Sequence, residues 1–466
     1  MFFLGVFTRH NRTPSPTVIR VTTHPGAVGT PLRRVAAACL VGSAIEFYDF
    51  LIYGIAAALV FPSVFFPHLT PTMATVASMG TFATAFLSRP LGAAVFGHVG
   101  DRLGRKKTLV VTLLIMAVST VGVGMVPTPA SIGAAAPLIL IALRVLQGFA
   151  VGGEWAGSAL LSAEYAPAGR RGWYGMFTPL GGGVALVLTS LVFLGVNATI
   201  GERSAAFLEW GWRIPFLSSV ALIAVALYVR LNIDETPVFA GENPHSVVYE
   251  APIKEVLRRE HRTIVLAGGS VVSGFAFVYM ASTYLARYAQ SALGHSRTLI
   301  LVVGVLGGLA TIALVAVSAG LSDRVGRRRM MLVGRAASLP WSLAVIPLMD
   351  TGSPVLFAVA IVGMYAVGAI AAGPTASFVP ELFATRYRYT GTALSSNLAG
   401  ILGGALPPLI AGTLLADFGS WSLSLLLAAL VSLSLVSTYL LPETDGAAFG
   451  AAPSPDLQSE GCRCCG

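Results

Sequence analysis

The sequence has little charge for its length. Only 11% of its 466 residues are Asp, Glu, Lys or Arg, whereas 55% are hydrophobic, and the mean hydropathy is +0.77. A soluble enzyme would carry about a quarter charged residues, so that class is excluded. A disordered chain is excluded too, because disorder requires low hydrophobicity.

Cysteine is also scarce. Cys39 lies in an apolar run, and the other three cysteines fall within the last five residues, in the string CRCC. Four residues placed in this way do not make a disulfide framework. The CRCC string is compatible with metal binding, but incidental thiols at a chain end are the simpler interpretation. We therefore expect no metal site and no cofactor.

The net charge of +9 does not predict nucleic-acid binding, which requires a basic face on a soluble domain. Here the basic residues form short islands between apolar runs, an arrangement typical of a polytopic membrane protein. The expected partners are the lipid bilayer, a small molecule and protons, and no nucleic acid. The start of the chain lacks the pattern of a cleaved signal peptide.

Twelve apolar stretches reach the roughly 20 residues that a helix needs to cross a bilayer. They are predicted at 35–61, 74–97, 108–126, 137–163, 173–198, 214–231, 263–285, 298–319, 330–349, 354–379, 391–416 and 421–441. The fold class is therefore an all-α membrane protein with twelve transmembrane helices in two six-helix bundles. The predicted division is a tail (1–32), a first bundle (33–231), a central loop (232–262), a second bundle (263–441) and a tail (442–466).

The distribution of Lys and Arg sets the orientation, because cytoplasmic loops carry the excess. With both termini inside, the cytoplasmic segments hold about 23 of the 30 basic residues and the outer loops hold four. We predict a multi-pass protein of the cell membrane with both termini cytoplasmic, and we expect a monomer.

Two loops of the chain repeat each other. GHVGDRLGRKK at 97–107 aligns without a gap with AGLSDRVGRRR at 319–329. A Glu and an Arg seven residues apart also follow spans 4 and 10, as Glu164 with Arg171 and Glu381 with Arg388. Two six-span halves related in this way indicate the parallel repeat of a rocker-type secondary transporter.

These loops resemble the signature of the major facilitator superfamily. Within it, the strings IEFYDFLIYG (45–54), SRPLGAAVFGHVGDRLGRKK (88–107), RVLQGFAVGGEW (144–155) and PELFATRYRYTG (380–391) look like the metabolite:proton symporter group. That group includes shikimate, α-ketoglutarate and proline/betaine permeases. The resemblance covers roughly residues 33 to 443 and implies transport rather than enzymatic activity.

Four charges fall inside the predicted spans of the first half. Glu46 and Asp49 share one face of span 1, with Asp49 about 20 Å from either end. Depth along the spans suggests two ion pairs, Glu46 with Arg89 and Asp49 with Arg144. Such charges are costly in a bilayer and need a reason. One interpretation is that the pairs only lock the spans together.

The other interpretation, which we favour for Asp49 and Arg144, is proton coupling. A midplane carboxylate can exchange protons, because burial disfavours its charged form and a nearby arginine favours it. This hypothesis requires Asp49 to adjoin an aqueous cavity that opens to one side at a time. In similar proton-coupled facilitators an acid in span 1 and an arginine in span 4 carry the coupling, and these two residues match those positions.

The repeated loops predict a gate at the cytoplasmic face, where salt bridges between helix ends break on inward opening. Asp101 and Asp323 are expected to pair with loop arginines such as Arg105 and Arg327. The predicted gating residues are Gly97, Asp101, Arg102, Gly104, Arg105, Glu164, Arg171, Asp323, Arg324, Gly326, Arg327, Glu381 and Arg388. The plainer interpretation is a set of basic loops without gating.

Polar side chains within the spans are candidate substrate ligands, although membrane tyrosines more often pack or anchor. The candidates are Tyr53, Gln147, Tyr279, Tyr284, Tyr365 and Asn397. Arg335 lies about 9 Å into span 9, from where it can snorkel to the interface, so it is not a candidate. The glycines at 181–183 and 403–404 are expected to let helices approach or bend.

Together these patterns predict proton-coupled uptake of a small polar metabolite, either a carboxylate or a betaine-like zwitterion. One alternative is an exporter or proton antiporter of the same fold. A membrane-bound transferase is another, although no cluster of His, Asp and Glu stands at one membrane face. The third, a transporter-like sensor, would need a larger output domain than the tails provide.

Overall fold

The computed structural model describes residues 32–103, 105–167, 169–201, 204–231, 252–384 and 387–445. For 97–103, 105–107, 109, 230 and 252–254 it describes the backbone only. Within these ranges the chain folds into twelve long helical segments, and they contain no strand.

We number the long helices α1 to α12 in chain order. They are α1 Leu32–Leu59, α2 Pro71–Leu103, α3 Arg105–Met125, α4 Ala135–Tyr165, α5 Arg171–Ile200, α6 Ile214–Leu231, α7 His261–Ser291, α8 Arg297–Val325, α9 Arg327–Asp350, α10 Pro354–Glu381, α11 Arg388–Phe418 and α12 Trp421–Leu440. Short helices stand between them at Phe61–Val64, Pro129–Ile132, Ala205–Glu209, Gly211–Arg213 and Pro252–Arg259.

In the described ranges, ten of the twelve are long and apolar enough to cross a membrane. The other two are α2 and α3, and α3 carries the shorter apolar stretch Val110–Met125. The predicted twelve-helix fold is confirmed. The end of α2 differs from the prediction, because its helix continues past residue 97 to Leu103, into the loop that carries the repeat.

Several helices are interrupted near their middle. α4 breaks at Gly152 and Gly153, and α10 breaks at Gly373 and Pro374. α7 and α11 each contain a wide π turn, at Met280–Tyr284 and Gly400–Ala405. Glycine relaxes the backbone and proline removes a helix hydrogen bond, which accounts for the interruptions of α4, α10 and α11. Of the glycines expected to allow bending, those at 403–404 lie within the π turn of α11.

The two six-helix bundles meet along α5 with α8 and along α2 with α11. Glycines allow the backbones of α5 and α8 to touch. A Cβ atom on Gly183 would lie 3.1 Å from the carbonyl oxygen of Gly308, and one on Gly308 would lie 2.9 Å from that of Gly183. The expectation of close approach at 181–183 is confirmed.

Two membrane faces follow from this topology. The terminal face is the one where α1 begins at Leu32 and α12 ends at Leu440. The distal face is the opposite one, where α1 ends at Leu59 and α8 begins at Arg297.

Candidate functional site

A buried polar cluster occupies the middle of the N-terminal bundle. Arg144 of α4 is fully buried, and its guanidinium carbon lies 4.0 Å from the centre of the Tyr53 ring and 4.7 Å from that of Phe50. Arg144 donates to the side-chain oxygen of Gln147, one turn further along α4, and to the carbonyl of Phe82 at 3.5 Å. Aromatic faces and amide oxygens thus hold the guanidinium in place.

The predicted ion pair between Asp49 and Arg144 is wrong in this structure. Asp49 is fully buried. Among the described residues, no donor lies in hydrogen-bonding position to either oxygen of its carboxylate. Its polar neighbours are Thr120 and Gln147, and Gln147 donates to the Thr120 hydroxyl at 2.8 Å. Depth along a helix does not fix which side chain a guanidinium reaches, and Gln147 is on the same helix face as Arg144.

The expectation that Asp49 adjoins an aqueous cavity is also wrong for this conformation. Asp49 lies on the wall of neither described cavity. It is within electrostatic reach of both Arg144 and Glu154, a second buried acid just after the break in α4. The cluster is therefore sealed inside one bundle, and water would reach it only after a rearrangement.

Glu46 and Arg89, by contrast, share the wall of a small cavity between the bundles, on the terminal side of the membrane centre. The cavity is narrow in this conformation. Arg89 packs on aromatic rings, 4.1 Å from the centre of Phe50 and 4.6 Å from that of Phe86. The prediction that Glu46 and Arg89 lie at similar depth is confirmed, and their ion pair stays a prediction.

Of the rest of this cavity wall, sequence reasoning singled out Asn397 and missed the other side chains. Phe47 and Trp155 from the N-terminal bundle face Phe275, Ser396 and Asn397 from the C-terminal bundle. An aromatic residue inside an apolar run looks like any other membrane-facing residue, so the sequence does not identify it as part of a cavity wall. The one signal available was position, since Phe47 follows Glu46 directly.

The substrate candidates fall into different surroundings. Asn397 lies on the wall of this cavity and donates to the carbonyl of Gly152 at 2.9 Å, which links the two bundles. Tyr365 lies on the wall of the distal cavity described next. The others pack inside the protein: Tyr53 donates to Thr81, Gln147 joins Arg144, Tyr279 stacks among Phe82, Phe86 and Phe275, and Tyr284 lies near Gly412.

A second cavity lies between the bundles toward the distal face, with about 370 Å³ between its walls. Its wall is largely apolar, with Ile55, Leu186 and Ile300, and its polar side chains include Ser190, Ser282 and Tyr365. Contacts between the bundles flank both cavities, toward the terminal face and toward the distal face.

At the terminal face, Arg327 is the centre of an ion network. Its Nε lies 2.9 Å from an oxygen of Glu381, and its Nη2 lies 3.4 Å from Asp323. Glu381 also lies 3.9 Å from Arg171, which belongs to the other bundle. The predicted pairing of Asp323 with Arg327 is confirmed, and the network spans the two bundles through Arg171 and Glu381.

Asp323 also contacts the other bundle, which the sequence did not indicate. Its two oxygens accept the backbone N–H groups of Gly172 at 2.7 Å and Trp173 at 2.9 Å, in the first turn of α5. Helix N-termini present free N–H groups and a positive dipole, which favour a carboxylate. A Cβ on Gly172 would lie 2.7 Å from Asp323, so only glycine fits here.

The segment after α12 completes this network, although residues 442–466 were predicted as a simple tail. Glu443 accepts the N–H groups of Arg327 at 2.9 Å and Arg328 at 3.1 Å, so it caps α9. The Thr444 hydroxyl donates to Glu381 at 2.7 Å, and Asp445 pairs with Arg327. The sequence gives no distance between a tail and a loop more than a hundred residues earlier.

The remaining gating candidates have mixed outcomes. Arg388 donates to the carbonyls of Pro380 at 3.2 Å and Phe383 at 3.3 Å, at the end of α10. Gly326 adopts a φ of 105°, which favours glycine, just before α9. Glu164 lies within electrostatic reach of Arg388, and Arg324 is exposed at the end of α8. The remaining candidates lie outside the residues whose side chains the structure describes; they are Gly97, Asp101, Arg102, Gly104 and Arg105.

Arg335 does not reach the interface as predicted. It is 1% exposed and donates to the carbonyl of Ser270 at 2.8 Å, inside the C-terminal bundle. Its guanidinium is directed to α7, where it also lies near Gly274, so the side chain is turned away from the headgroups. The expectation of snorkelling is wrong because the sequence gives the depth of Arg335 in the span but not which side of α9 is buried.

Comparison with known proteins gives one consistent result. The family model for the Major Facilitator Superfamily matches residues 39–408. The inner membrane metabolite transport protein YhjE of Escherichia coli K12 is 39% identical, over 88% of this chain and 94% of that protein. The shikimate transporter of the same strain is 36% identical, over 89% of this chain and 95% of that protein.

More distant relatives agree. A proline/betaine transporter of Salmonella typhimurium is 32% identical, over 82% of this chain and 77% of that protein. Among solved structures, a D-xylose-proton symporter is 18% identical, with a TM-score of 0.71 over 89% of this chain and 99% of that one.

Two six-helix bundles with cavities between them, together with relatives that are metabolite transporters, define a polytopic membrane transporter. The chain belongs to the Major Facilitator Superfamily, as its sequence motifs predicted. Its relatives are metabolite transporters and not enzymes, which removes the transferase alternative.

Proposed function

We propose that this transporter imports a small polar metabolite together with protons, with both termini in the cytoplasm. The observation that carries the proposal is the placement of two acid–arginine sets on and around α1. Glu46 of α1 and Arg89 of α2 stand on the cavity wall between the bundles. Asp49, one turn further along α1, and Arg144 of α4 are sealed from that cavity. Burying charges so deeply is costly, and such residues in membrane proteins usually serve a function.

The cavity wall supports a carboxylate or a betaine-like zwitterion as the substrate. Arg89 can bind a carboxylate through charge-assisted hydrogen bonds. Glu46, with the faces of Phe47, Trp155 and Phe275 around it, suits a cationic or proton-carrying group. The names of the shikimate and proline/betaine relatives support this class.

In the proposed coupling step, Arg144 exchanges partners. While it is bonded to Gln147, as in the structure, Asp49 has no cation in direct contact and is best accommodated as the neutral acid. When Arg144 leaves Gln147 and moves to Asp49, the ionised carboxylate is favoured and its proton is released. Alternating rearrangement of the bundles would direct that release to one side.

At the terminal face, the network of Arg171, Asp323, Arg327 and Glu381 is proposed to act as the gate. Its contacts between α5, α8 and α10 must separate before the cavity opens there. The tail carboxylates Glu443 and Asp445 stabilise the C-terminal part of this network.

The test is uptake into proteoliposomes with an imposed pH gradient. Labelled shikimate, proline, glycine betaine, 2-oxoglutarate and a sugar control are offered in parallel, with and without the gradient. We expect accumulation of at least one carboxylate or zwitterion when the outside is acidic, and none of the sugar. Efflux driven by the same gradient would instead establish the antiporter, and gradient-independent equilibration would reject proton coupling.

A further inference from the structure

An arginine at the distal face occupies a position that its own helix does not favour. Arg297 is the first residue of α8, directly after the N-cap Ser296, whose hydroxyl accepts the N–H of Leu299. A cation at a helix N-terminus faces the positive end of the helix dipole. Arg297 is nevertheless only 5% exposed, although arginine is among the residues least often buried.

Two contacts of Arg297 with the other bundle account for this placement. Its Nη2 lies 3.4 Å from the carbonyl oxygen of Leu59, the last residue of α1. Its guanidinium carbon lies 4.3 Å from the centre of the Phe207 ring, in the short helix between α5 and α6. The carbonyl end of a helix carries partial negative charge and unsatisfied acceptors, so α1 provides the electrostatic partner that α8 lacks.

We infer that Arg297 is the distal-face latch of this transporter. It holds the start of α8 on the end of α1 and must release before the distal cavity opens. Leu59 and Ile300, which lie on or next to this contact, are also on the wall of that cavity. The inference needs only the alternating rearrangement of the two bundles and does not depend on proton coupling or on the substrate.

Arg213 provides a matched control, because it caps a helix end in the same way within a single bundle. It donates to the carbonyls of Gly124 at 2.9 Å and Val126 at 2.6 Å, at the end of α3, and its guanidinium packs on Trp212. Its loss removes a comparable cap without freeing one bundle from the other.

The experiment measures maleimide labelling of single cysteines in the full chain in lipid nanodiscs, where both faces are accessible. The four native cysteines are replaced by serine. Ser282→Cys reports on the distal cavity and Ser396→Cys on the cavity of the terminal side. Each reporter is combined with Arg297→Gln, Arg297→Lys or Arg213→Gln.

We expect Arg297→Gln to raise the labelling rate of Ser282→Cys by about threefold or more and to lower that of Ser396→Cys, because one charge-assisted contact of the distal-closed state is lost. Arg213→Gln should leave both rates unchanged. Equal rates in Arg297→Gln and the parent, a similar rise in Arg213→Gln, or a rise at both reporters would overturn the inference.

Arg297→Lys keeps the charge and loses the planar group that stacks on Phe207. It should raise labelling of Ser282→Cys in the same direction by a smaller factor. This variant decides the question if Arg297→Gln does not purify as a folded protein, and an unchanged rate in it contradicts the latch. A failure of proton-driven uptake would leave all of these labelling results as they are.

Discussion

The two six-helix bundles share an architecture but differ in what they bury at the membrane centre. The N-terminal bundle buries acids and arginines together, with Glu46, Asp49, Arg89 and Arg144 on α1, α2 and α4. In the described C-terminal bundle, the deep arginine is Arg335, which forms no ion pair there and donates to a main-chain carbonyl.

The two bundles therefore repeat the same arrangement of helices without repeating the same buried charged residues. The helices of both bundles are bent by glycine and proline at related places, as α4 and α10 show. The C-terminal bundle contributes Phe275, Asn397 and Tyr365 to cavity walls and supplies aromatic and amide groups there. The proposed energy coupling therefore resides in the N-terminal bundle alone.

The largest expected effect is that of Asp49→Asn, which removes the proposed proton site. Accumulation driven by a pH gradient should fall at least about tenfold, because the amide cannot take up or release a proton. Exchange of labelled for unlabelled substrate across the membrane should persist. Both are measured in proteoliposomes with the compound that the substrate panel identifies.

Asp350→Asn is the control for that variant in the other bundle. Asp350 accepts from Tyr288 and Ser420 near the distal face and has no proposed coupling role. Its accumulation should stay within about twofold of the parent, as expected for a residue outside the transport path. Uphill uptake by Asp49→Asn at the parent's level would reject the role of Asp49.

The next effect compares the two buried arginines directly. Arg144→Met should lower uptake by about tenfold or more, because it removes the cation that the coupling step requires. Arg335→Met should retain uptake and a melting temperature equal to or above that of the parent, since the variant removes the desolvation cost of a buried charge that has no ion-pair partner among the described residues. Equal losses in both variants would show that the bundles do not differ in this respect.

The smallest effect is expected at the terminal face. Asp323→Asn keeps the shape of the side chain and loses the charge that contacts the first turn of α5, so the initial uptake rate should fall by about two- to fivefold. The order in which unlabelled compounds compete should not change. Asp417→Asn, on an exposed residue of α11, is the control, and an altered competition order in Asp323→Asn would argue against a purely conformational role.

The sequence predicted the parts of this molecule that depend on composition along the chain. Apolar runs of sufficient length predicted the twelve helices, and the repeated loop motif predicted the pairing of Asp323 with Arg327, which lie on either side of the break at Gly326. The sequence also gave the depth of Glu46 and Arg89, because rise per residue is constant in a helix.

Contacts between distant segments were beyond its reach. The neighbour that Arg144 binds depends on the rotation of α4 relative to α1 and α3. Counting residues along a helix gives the depth of a side chain but not this rotation. Glu443 caps α9 because the chain after α12 turns back to it, which no local pattern specifies. Arg335 was misjudged for the same reason, since its depth was correct and its direction was unknown.

The backbone contact between Gly183 and Gly308 has a mechanical consequence. The side chains of Ile312 and Val187 pack onto these glycines, which lie near the midpoints of α5 and α8, so the closest backbone approach falls on the central line of the seam between the bundles. Rolling about a central line brings the rims on one side together as those on the other side part.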